Sequence, residues 1–213
     1  MSSGESKRSG RPTDEAKRAA IVAAASRAFF EQGYAASSIE QIAADAGVSK
    51  VTIYNRFGDK RSLLSAAVEH ECEKMRGNFE VPAMPQGSLR DRLMAIGEAM
   101  SAFLSRPEMV RFERRIAAET EHDPSVGTAF LAAGPHRMKA AFTGFIKALH
   151  DNGEVDVPDP ELAAEQFAAM CKGMGDLDRR FGAPQDPKRD RERVEGAVEV
   201  FCRAYAKTVC ERD

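Results

Sequence analysis

The sequence SIEQIAADAGVSKVTIYNRFGDK, residues Ser38 to Lys60, predicts two short helices separated by a tight turn. Ser38, with Gln41 three residues later, has the pattern of a capping box, and Ser49 has the pattern of an N-cap for the second helix. Gly47 permits the turn between them because glycine adopts positive φ without steric cost. Two helices this short, joined by such a turn, are typical of a helix-turn-helix that reads DNA.

The second of these helices divides its residues between an inner and an outer face. Ile53 and Phe57 share one face and are expected in the core. The other residue types suit DNA: cations neutralise phosphates, hydroxyls donate to phosphate oxygens, asparagine can bond adenine twice and valine can contact a thymine methyl group. The first turn of the next helix adds backbone amides that favour a phosphate. The residues predicted to contact DNA are Ser38, Lys50, Val51, Thr52, Tyr54, Asn55, Arg56 and Lys60.

The rest of the chain repeats its apolar residues at helical spacing wherever a period is clear. No segment has the alternation and β-branched content of a strand, so an all-α fold of about nine helices is expected. Residues 1–13 read as a disordered basic arm, 14–76 as an N-terminal head with its helix-turn-helix at 38–57, and 88–213 as a second helical domain. The connector between the two domains is rich in glycine and proline.

Composition limits the partners of this chain. It is 43% hydrophobic and 30% charged, as expected for a globular protein. Its longest run without Asp, Glu, Lys or Arg, residues 124–136, is shorter than the roughly 18 apolar residues that a membrane span needs. We also find no secretory signal, so no membrane partner and a cytoplasmic location are expected. Residues 1–61 carry a net charge of +3 within a total of −2, so only this part favours polyanions.

Four cysteines give no sign of a metal site or a disulfide framework. Cys72, Cys171, Cys202 and Cys210 form no C-x-x-C pair and have no histidine at metal-ligand spacing. We therefore expect reduced buried thiols, no metal and no cofactor. A redox switch that uses Cys202 and Cys210 stays open as an alternative.

The last two predicted helices are candidates for a dimer interface. Each begins at an Asp-Pro pair, 159–160 and 186–187, and carries a long apolar stripe. Small residues interleaved in the first stripe allow the close approach of an intersubunit four-helix bundle. The alternative is that both stripes fill the core of their own subunit. The predicted interface residues are Leu162, Met170, Leu177, Val194, Val198, Phe201 and Tyr205.

Aromatic and methionine side chains in the second domain could line an adaptable apolar cavity. Their pattern is interrupted at Gly134-Pro135, where a kink or two separate helices are expected. Each of these side chains could equally be plain core, and His122 and His136 are the candidate polar groups. The predicted pocket residues are Met100, Phe103, Phe112, His122, Phe130, Met138, Phe142, Phe145, Met170 and Met174.

The tract GYAASSIEQIAADAGVSKVTIYNRFGDKRSLL resembles the DNA-binding domain of the TetR family of transcriptional regulators, and the resemblance covers Glu15 to Met75. The shared pattern is glycine-aromatic, paired hydroxyl residues, I-A, A-G-V-S, a hydrophobic-Tyr pair, Phe and a following Lys. Two residues depart from it: Val51 replaces a small residue or glycine, and Arg56 replaces His or Tyr. These departures leave the base preference open.

The resemblance implies an all-helical homodimer with a DNA-reading head and a C-terminal domain that binds a small ligand and dimerises through its last two helices. It places seven of the contacts predicted above against DNA: Ser38, Lys50, Val51, Thr52, Tyr54, Asn55 and Lys60. The tract RFERRIAAETEHDPSVGTAFLAAGPHRMKAAF is similar to the AefR-like C-terminal domain of this family. We therefore expect a repressor that leaves a pseudo-palindromic, inverted-repeat operator in double-stranded DNA when an apolar or amphipathic effector binds.

Two other functions are compatible with parts of the sequence. Glu119 and His122 have the spacing of a di-iron ligand pair, but no second Glu-x-x-His is present, so an enzyme is not expected. An architectural protein that coats DNA without effector control is compatible with the head alone. The acidic, well-capped C-terminal part favours a regulatory domain.

Overall fold

The computed structural model describes residues 14–76 and 87–207, and within them the chain is all-α, as its periodicity predicts. An isolated β-bridge joins Val155 and Ala206. No helix in these two ranges is both long and apolar enough to cross a membrane. The predicted arm at residues 1–13 and Cys210 lie outside the described residues. The helices are α1 (Asp14–Gln32), α2 (Ile39–Asp45), α3 (Lys50–Phe57), α4 (Lys60–Arg76), α5 (Leu89–Leu104), α6 (Pro107–His122), α7 (Pro124–Ala133), α8 (Pro135–Asp151), α9 (Pro160–Arg180) and α10 (Pro187–Tyr205).

Acid-proline pairs fix the starts of three helices. Asp159 and Asp186 each accept the backbone N–H three residues later at 3.0 Å, and a proline follows at the first helical position. Asp123 ends α6 and caps α7, also before a proline. The starts at Asp159 and Asp186 are those that the sequence predicts, because capping is a local property.

Two glycines break the helical path in the second domain. Gly134 (φ −120°, ψ −86°) separates α7 from α8, which resolves the expected interruption into two helices. Gly173 (φ 47°, ψ −152°) breaks α9 in its middle. A positive φ at this position favours glycine, and the sequence pattern gave no indication of the break.

The buried side chains form two clusters. The first joins α1 to α4 with α6 and α7, and in it Phe30 stacks on Phe112 with ring centroids 4.0 Å apart. The second joins α5, α8, α9 and α10 around the fully buried Phe167. Phe103 and Met138 pack against both clusters. The head therefore completes its core against α6 and α7 of the second domain, and the two clusters meet at Phe103 and Met138.

The described cysteines are structural. Cys72, Cys171 and Cys202 are free and buried. Burial raises the pKa of Cys72 to about 11 and that of Cys171 to about 12, so these two sulfurs remain neutral thiols at physiological pH. A neutral buried thiol is a poor nucleophile.

Candidate nucleic-acid interface

The turn between α2 and α3 is closed by its own backbone. Gly47 has φ +65°, and its N–H donates to the carbonyl of Ala44 at 3.1 Å. The N–H of Val48 donates to the carbonyl of Ala43 at 2.9 Å. This pair of bonds is a Schellman motif, which satisfies the last carbonyls of α2 and turns the chain sharply. The turn that starts α3 is thus specified by a glycine and the residue after it.

Serine caps fix the start of both helices. The Ser38 hydroxyl accepts the N–H of Gln41 at 3.1 Å, but the Gln41 side chain donates forward to Asp45 at 2.8 Å. The cap expected at Ser38 is therefore present, whereas Gln41 does not return its side chain to close a capping box. Ser49 accepts the N–H of Thr52 at 3.2 Å, and their hydroxyls lie 2.9 Å apart.

The outer face of α3 is a strip of exposed side chains, here called the reading strip: Lys50, Val51, Tyr54 and Asn55. Val51 is 59% exposed and Tyr54 46% exposed, which is unusual for large apolar and aromatic residues. The inner face is anchored by Ile53, which is 1% exposed, so the strip is held outward. Residues three and four positions apart share a helix face, and together these four residues offer a cation, an apolar surface, a phenol and an amide.

Lys50 forms an ion pair that DNA could displace. Its ammonium lies 3.1 Å from a carboxylate oxygen of Glu40 on α2, and both side chains are more than half exposed. The pKa of Glu40 is lowered by a hydrogen bond from its own backbone and by Lys50. Exposed pairs of this kind contribute little to stability, so a phosphate can compete for Lys50.

Two predicted contacts are occupied by other groups. The Lys60 ammonium lies 4.6 Å from the centroid of the Tyr34 ring and donates to the carbonyl of Ala35 at 3.4 Å. Burial lowers the pKa of Lys60. Arg56 donates both ends of its guanidinium to the carboxylate of Asp14 on α1. Both cations therefore have partners within the protein, and their contacts with DNA stay a prediction.

No local pattern in the sequence identifies the partners of these cations. Asp14 is separated from Arg56 by 42 positions, and Lys60 is separated from Ala35 by 25. Glu40 lies on α2, for which the sequence predicts only a buried inner face. Contacts between helices follow from packing, which hydrophobic spacing does not specify.

The predicted interface residues divide between surface and core. Leu162 and Leu177 are 49% and 47% exposed on α9. Met170 and Tyr205 are partly buried and line a groove of about 330 Å³ between α9 and α10. In contrast, Val194, Val198 and Phe201 pack inside the second cluster, and this corrects their assignment to a dimer surface. Phe181 and Val200, which the predicted interface does not include, are 83% and 52% exposed.

The predicted pocket residues also separate. Phe112, Phe142 and Phe145 are buried in aromatic pairs of the two clusters, which makes them core residues. His122 is exposed, and its ring nitrogen lies 3.3 Å from the carbonyl of Ala118. The remaining residues are distributed as follows: Met174 is 62% exposed, Met170 faces the α9–α10 groove, and Met100, Phe103, Phe130 and Met138 are partly buried near the meeting of the clusters. His122 and Met174 are therefore surface residues, which corrects that part of the expectation.

Comparison with known proteins assigns both halves of the chain. Residues 21–67 match the family described as bacterial regulatory proteins, tetR family, and residues 91–207 match the C-terminal domain of AefR-like transcriptional repressors. The chain belongs to the TetR family of transcriptional regulators. It is thus a regulator that binds DNA through a helix-turn-helix, and TetR regulators are not enzymes. Glu119 and His122 are not part of any group of three or more candidate metal ligands among the described residues.

Relatives and solved structures place the chain within this family. It is 28% identical over 159 residues to the regulator BetI from Rhizobium meliloti, covering 74% of this chain and 75% of BetI. It is 32% identical over 93 residues to the transcriptional activator FasR from Mycolicibacterium smegmatis, covering 44% of this chain and 42% of FasR. A TetR-family regulator from Mesorhizobium loti matches with a TM-score of 0.76 and 26% identity, over 92% of this chain and all of that one. The flavonoid-responsive regulator FrrA matches with a TM-score of 0.70 and 26% identity, over 90% and 97%.

Proposed function

We propose that the protein is a homodimeric repressor that leaves an inverted-repeat operator when a small molecule binds. The observation that carries the proposal is the reading strip on α3, which is exposed while Ile53 on the opposite face is 1% exposed. A helix presented in this way fits the major groove and offers its side chains to base edges. Such a regulator acts where the DNA is, which we take to be the cytoplasm.

Selection of bound sequences from a random pool of duplexes tests this reading. We expect two similar half-sites in inverted orientation. Asn55→Ala should relax the preference for adenine at one position per half-site, with a cost of about 1–3 kcal/mol because a bidentate amide contact is lost. Asn152→Ala is the matched control, since Asn152 is exposed at the end of α8, away from α3. Binding without any consensus would instead indicate an architectural DNA-coating protein.

The dimer surface that we propose is the outer face of α9 and α10. It carries exposed apolar side chains that the subunit itself does not cover. A β-carbon added at Gly196 would have no atom within 4 Å, so a partner helix could approach closely there. We assign to this surface Leu162, Met174, Leu177, Phe181 and Val200.

A twofold axis through this surface determines the spacing of the two heads. Each reading helix must enter a major groove on the same side of the duplex, so the half-sites are expected about 34 Å apart, or at a multiple of that distance. The two halves of the operator mirror the symmetry of the dimer. A change in head spacing therefore weakens binding without touching the reading strip.

The effector site that we propose lies where the two hydrophobic clusters meet. Phe103 and Met138 pack against both clusters and are partly buried, and Met100 and Phe130 lie beside them. Methionine and aromatic side chains adapt to apolar ligands of varied shape. The similarity to FrrA, a flavonoid-responsive regulator, supports an aromatic effector.

Helix α4 provides the connection from this site to the head. In α4, Glu71 is buried and accepts a hydrogen bond from Ser26 of α1 at 2.7 Å. Arg106, at the start of α6, reaches the same carboxylate at 3.4 Å. Arg137 of α8 lies 2.9 Å from Glu69 of α4. A ligand that moves α6 or α8 would therefore move α4 and, with it, the head.

Titration of the operator complex with aromatic compounds, flavonoids among them, tests the effector part. A true effector should raise the melting temperature of the free protein and release the operator. Both effects are expected because the effector binds more tightly to a conformation whose head spacing does not match the operator. Met138→Ala should weaken the response to the compound without changing operator affinity in its absence. Transcription in vitro from the operator decides between the repressor that the AefR-like description suggests and the activator role of FasR.

A further inference from the structure

We propose that Asp14 is a positioning residue of the head, which withholds Arg56 from DNA phosphates and thereby sets how strongly DNA binding depends on salt. The inference rests on the proposed role of α3 as the reading helix. It concerns one cation beside the reading strip and leaves the base contacts of the strip unchanged.

The geometry of the pair is bidentate. Arg56 Nη1 donates to Asp14 Oδ2 at 2.9 Å, and Nη2 donates to Oδ1. Two parallel bonds between a guanidinium and a carboxylate are stronger and more directional than a single contact. The Arg56 side chain is 20% exposed, although that of Asp14 is 86% exposed. The cation is thus turned toward α1 and away from the solvent-facing strip.

A second contact supports the same arrangement. The guanidinium of Arg18 lies 5.8 Å from the centroid of the Phe57 ring at the end of α3. Asp14 and Arg18 are four residues apart and share one face of α1. The first two turns of α1 are therefore fixed against the end of α3 at two points, and the carboxylate of Asp14 is held where Arg56 projects.

The pair between Lys50 and Glu40 behaves differently because it is a single contact at 3.1 Å with both side chains more than half exposed. A phosphate can replace Glu40 at little cost, so Lys50 can join the DNA contacts. A phosphate that took the place of Asp14 would have to break two hydrogen bonds to a guanidinium that is largely covered. We infer that Lys50 exchanges partners on DNA and that Arg56 keeps its own.

The consequence is measurable because each phosphate neutralised by a side chain releases counterions. The slope of log K against log salt steepens by about 0.9 for each such contact on duplex DNA. Arg56 bound to Asp14 adds nothing to that slope. Asp14→Asn removes the charge that holds Arg56, so the freed guanidinium adds one phosphate contact per bound head.

The experiment measures the affinity of the full chain for a duplex of scrambled sequence by fluorescence anisotropy between 50 and 200 mM NaCl. Asp14→Asn should steepen the slope by about 0.9 per head, so that its affinity relative to wild type changes about 3.5-fold per head across this range. Glu15→Gln is the matched control, since it removes the same charge from the same turn of α1 and is exposed. Its slope should equal that of wild type.

Arg56→Gln provides a second, independent readout. Its slope should equal that of wild type, because Arg56 makes no phosphate contact in the parent protein, and it should abolish the change caused by Asp14→Asn. A shallower slope for Arg56→Gln, or equal slopes for Asp14→Asn and Glu15→Gln, would overturn the proposal. The probe contains no operator, so a failure to find an operator or an effector leaves this result interpretable on its own.

Discussion

Phe181 offers the sharpest test of the dimer surface. It follows the last turn of α9 and is 83% exposed in the subunit, more than any other large hydrophobic residue that the structure describes. Burying a phenylalanine side chain fully is worth about 1.5–3 kcal/mol, so covering its exposed part is worth about 1.2–2.5 kcal/mol. A twofold interface contains two copies, so the loss in Phe181→Ser is about 2.5–5 kcal/mol per dimer.

That free energy corresponds to a rise in the dimer dissociation constant of roughly 60- to 4,000-fold, since 1.4 kcal/mol is tenfold. Sedimentation equilibrium over a range of protein concentrations measures it. Leu131→Ser is the control, because Leu131 is also exposed, at 43%, but lies on α7. If Phe181→Ser dimerised as tightly as wild type, or if Leu131→Ser weakened the dimer equally, the assignment of this surface would be wrong.

Three further predictions concern the fold and the thiols. Ile53→Ala should destabilise the protein by about 2–5 kcal/mol in urea denaturation, because the side chain is fully enclosed; a change as small as that of Val51→Ala would contradict its role as anchor. Gly47→Ala should cost about 1–2 kcal/mol from positive φ alone, since its β-carbon would meet nothing within 4 Å, and Gly47→Asn should cost less; equal stability of Ala and Gly would refute the turn argument. Cys72 and Cys171 should resist iodoacetamide at pH 8 in the folded protein and react in guanidinium. The unfolded thiols lose their protons near pH 9.0, whereas the buried thiols keep theirs up to about pH 11 and 12. Their contribution to the free energy of unfolding is therefore retained below pH 9.0 and lost as the pH rises toward these two values, and a melting temperature that did not fall over that range would contradict their burial.

Local signals in the sequence specify much of this fold. Two Asp-Pro pairs, the serine caps and Gly47 each act within a few residues, so the starts of α9 and α10 and the turn before α3 could be predicted. The exposed strip on α3 follows from the same logic, since Ile53 and Phe57 determine which face is turned inward.

Packing between helices is not specified by these signals. Helix α10 carries apolar residues on more than one face, and the period alone did not show that Val194 and Val198 pack inside while Val200 lies outside. The pairing of Arg56 with Asp14 has the same origin, because it depends on the angle at which α1 crosses α3. Such angles are set by the whole core.

The junction between α5 and α6 connects the proposed ligand site with both the head and the proposed dimer surface. Gln185, in the loop that follows Phe181, donates to the carbonyl of Ser105 at 2.6 Å. The next residue, Arg106, lies 4.6 Å from the centroid of the Phe103 ring and also reaches Glu71 of α4. An effector that displaced Phe103 would therefore shift Arg106, whose carboxylate partner is buried and costly to leave without a compensating charge. If α4 moved to keep this ion pair, the reading helix would move as well, because α4 begins directly after it. In the dimer that we propose, such a movement would change the spacing between the two heads.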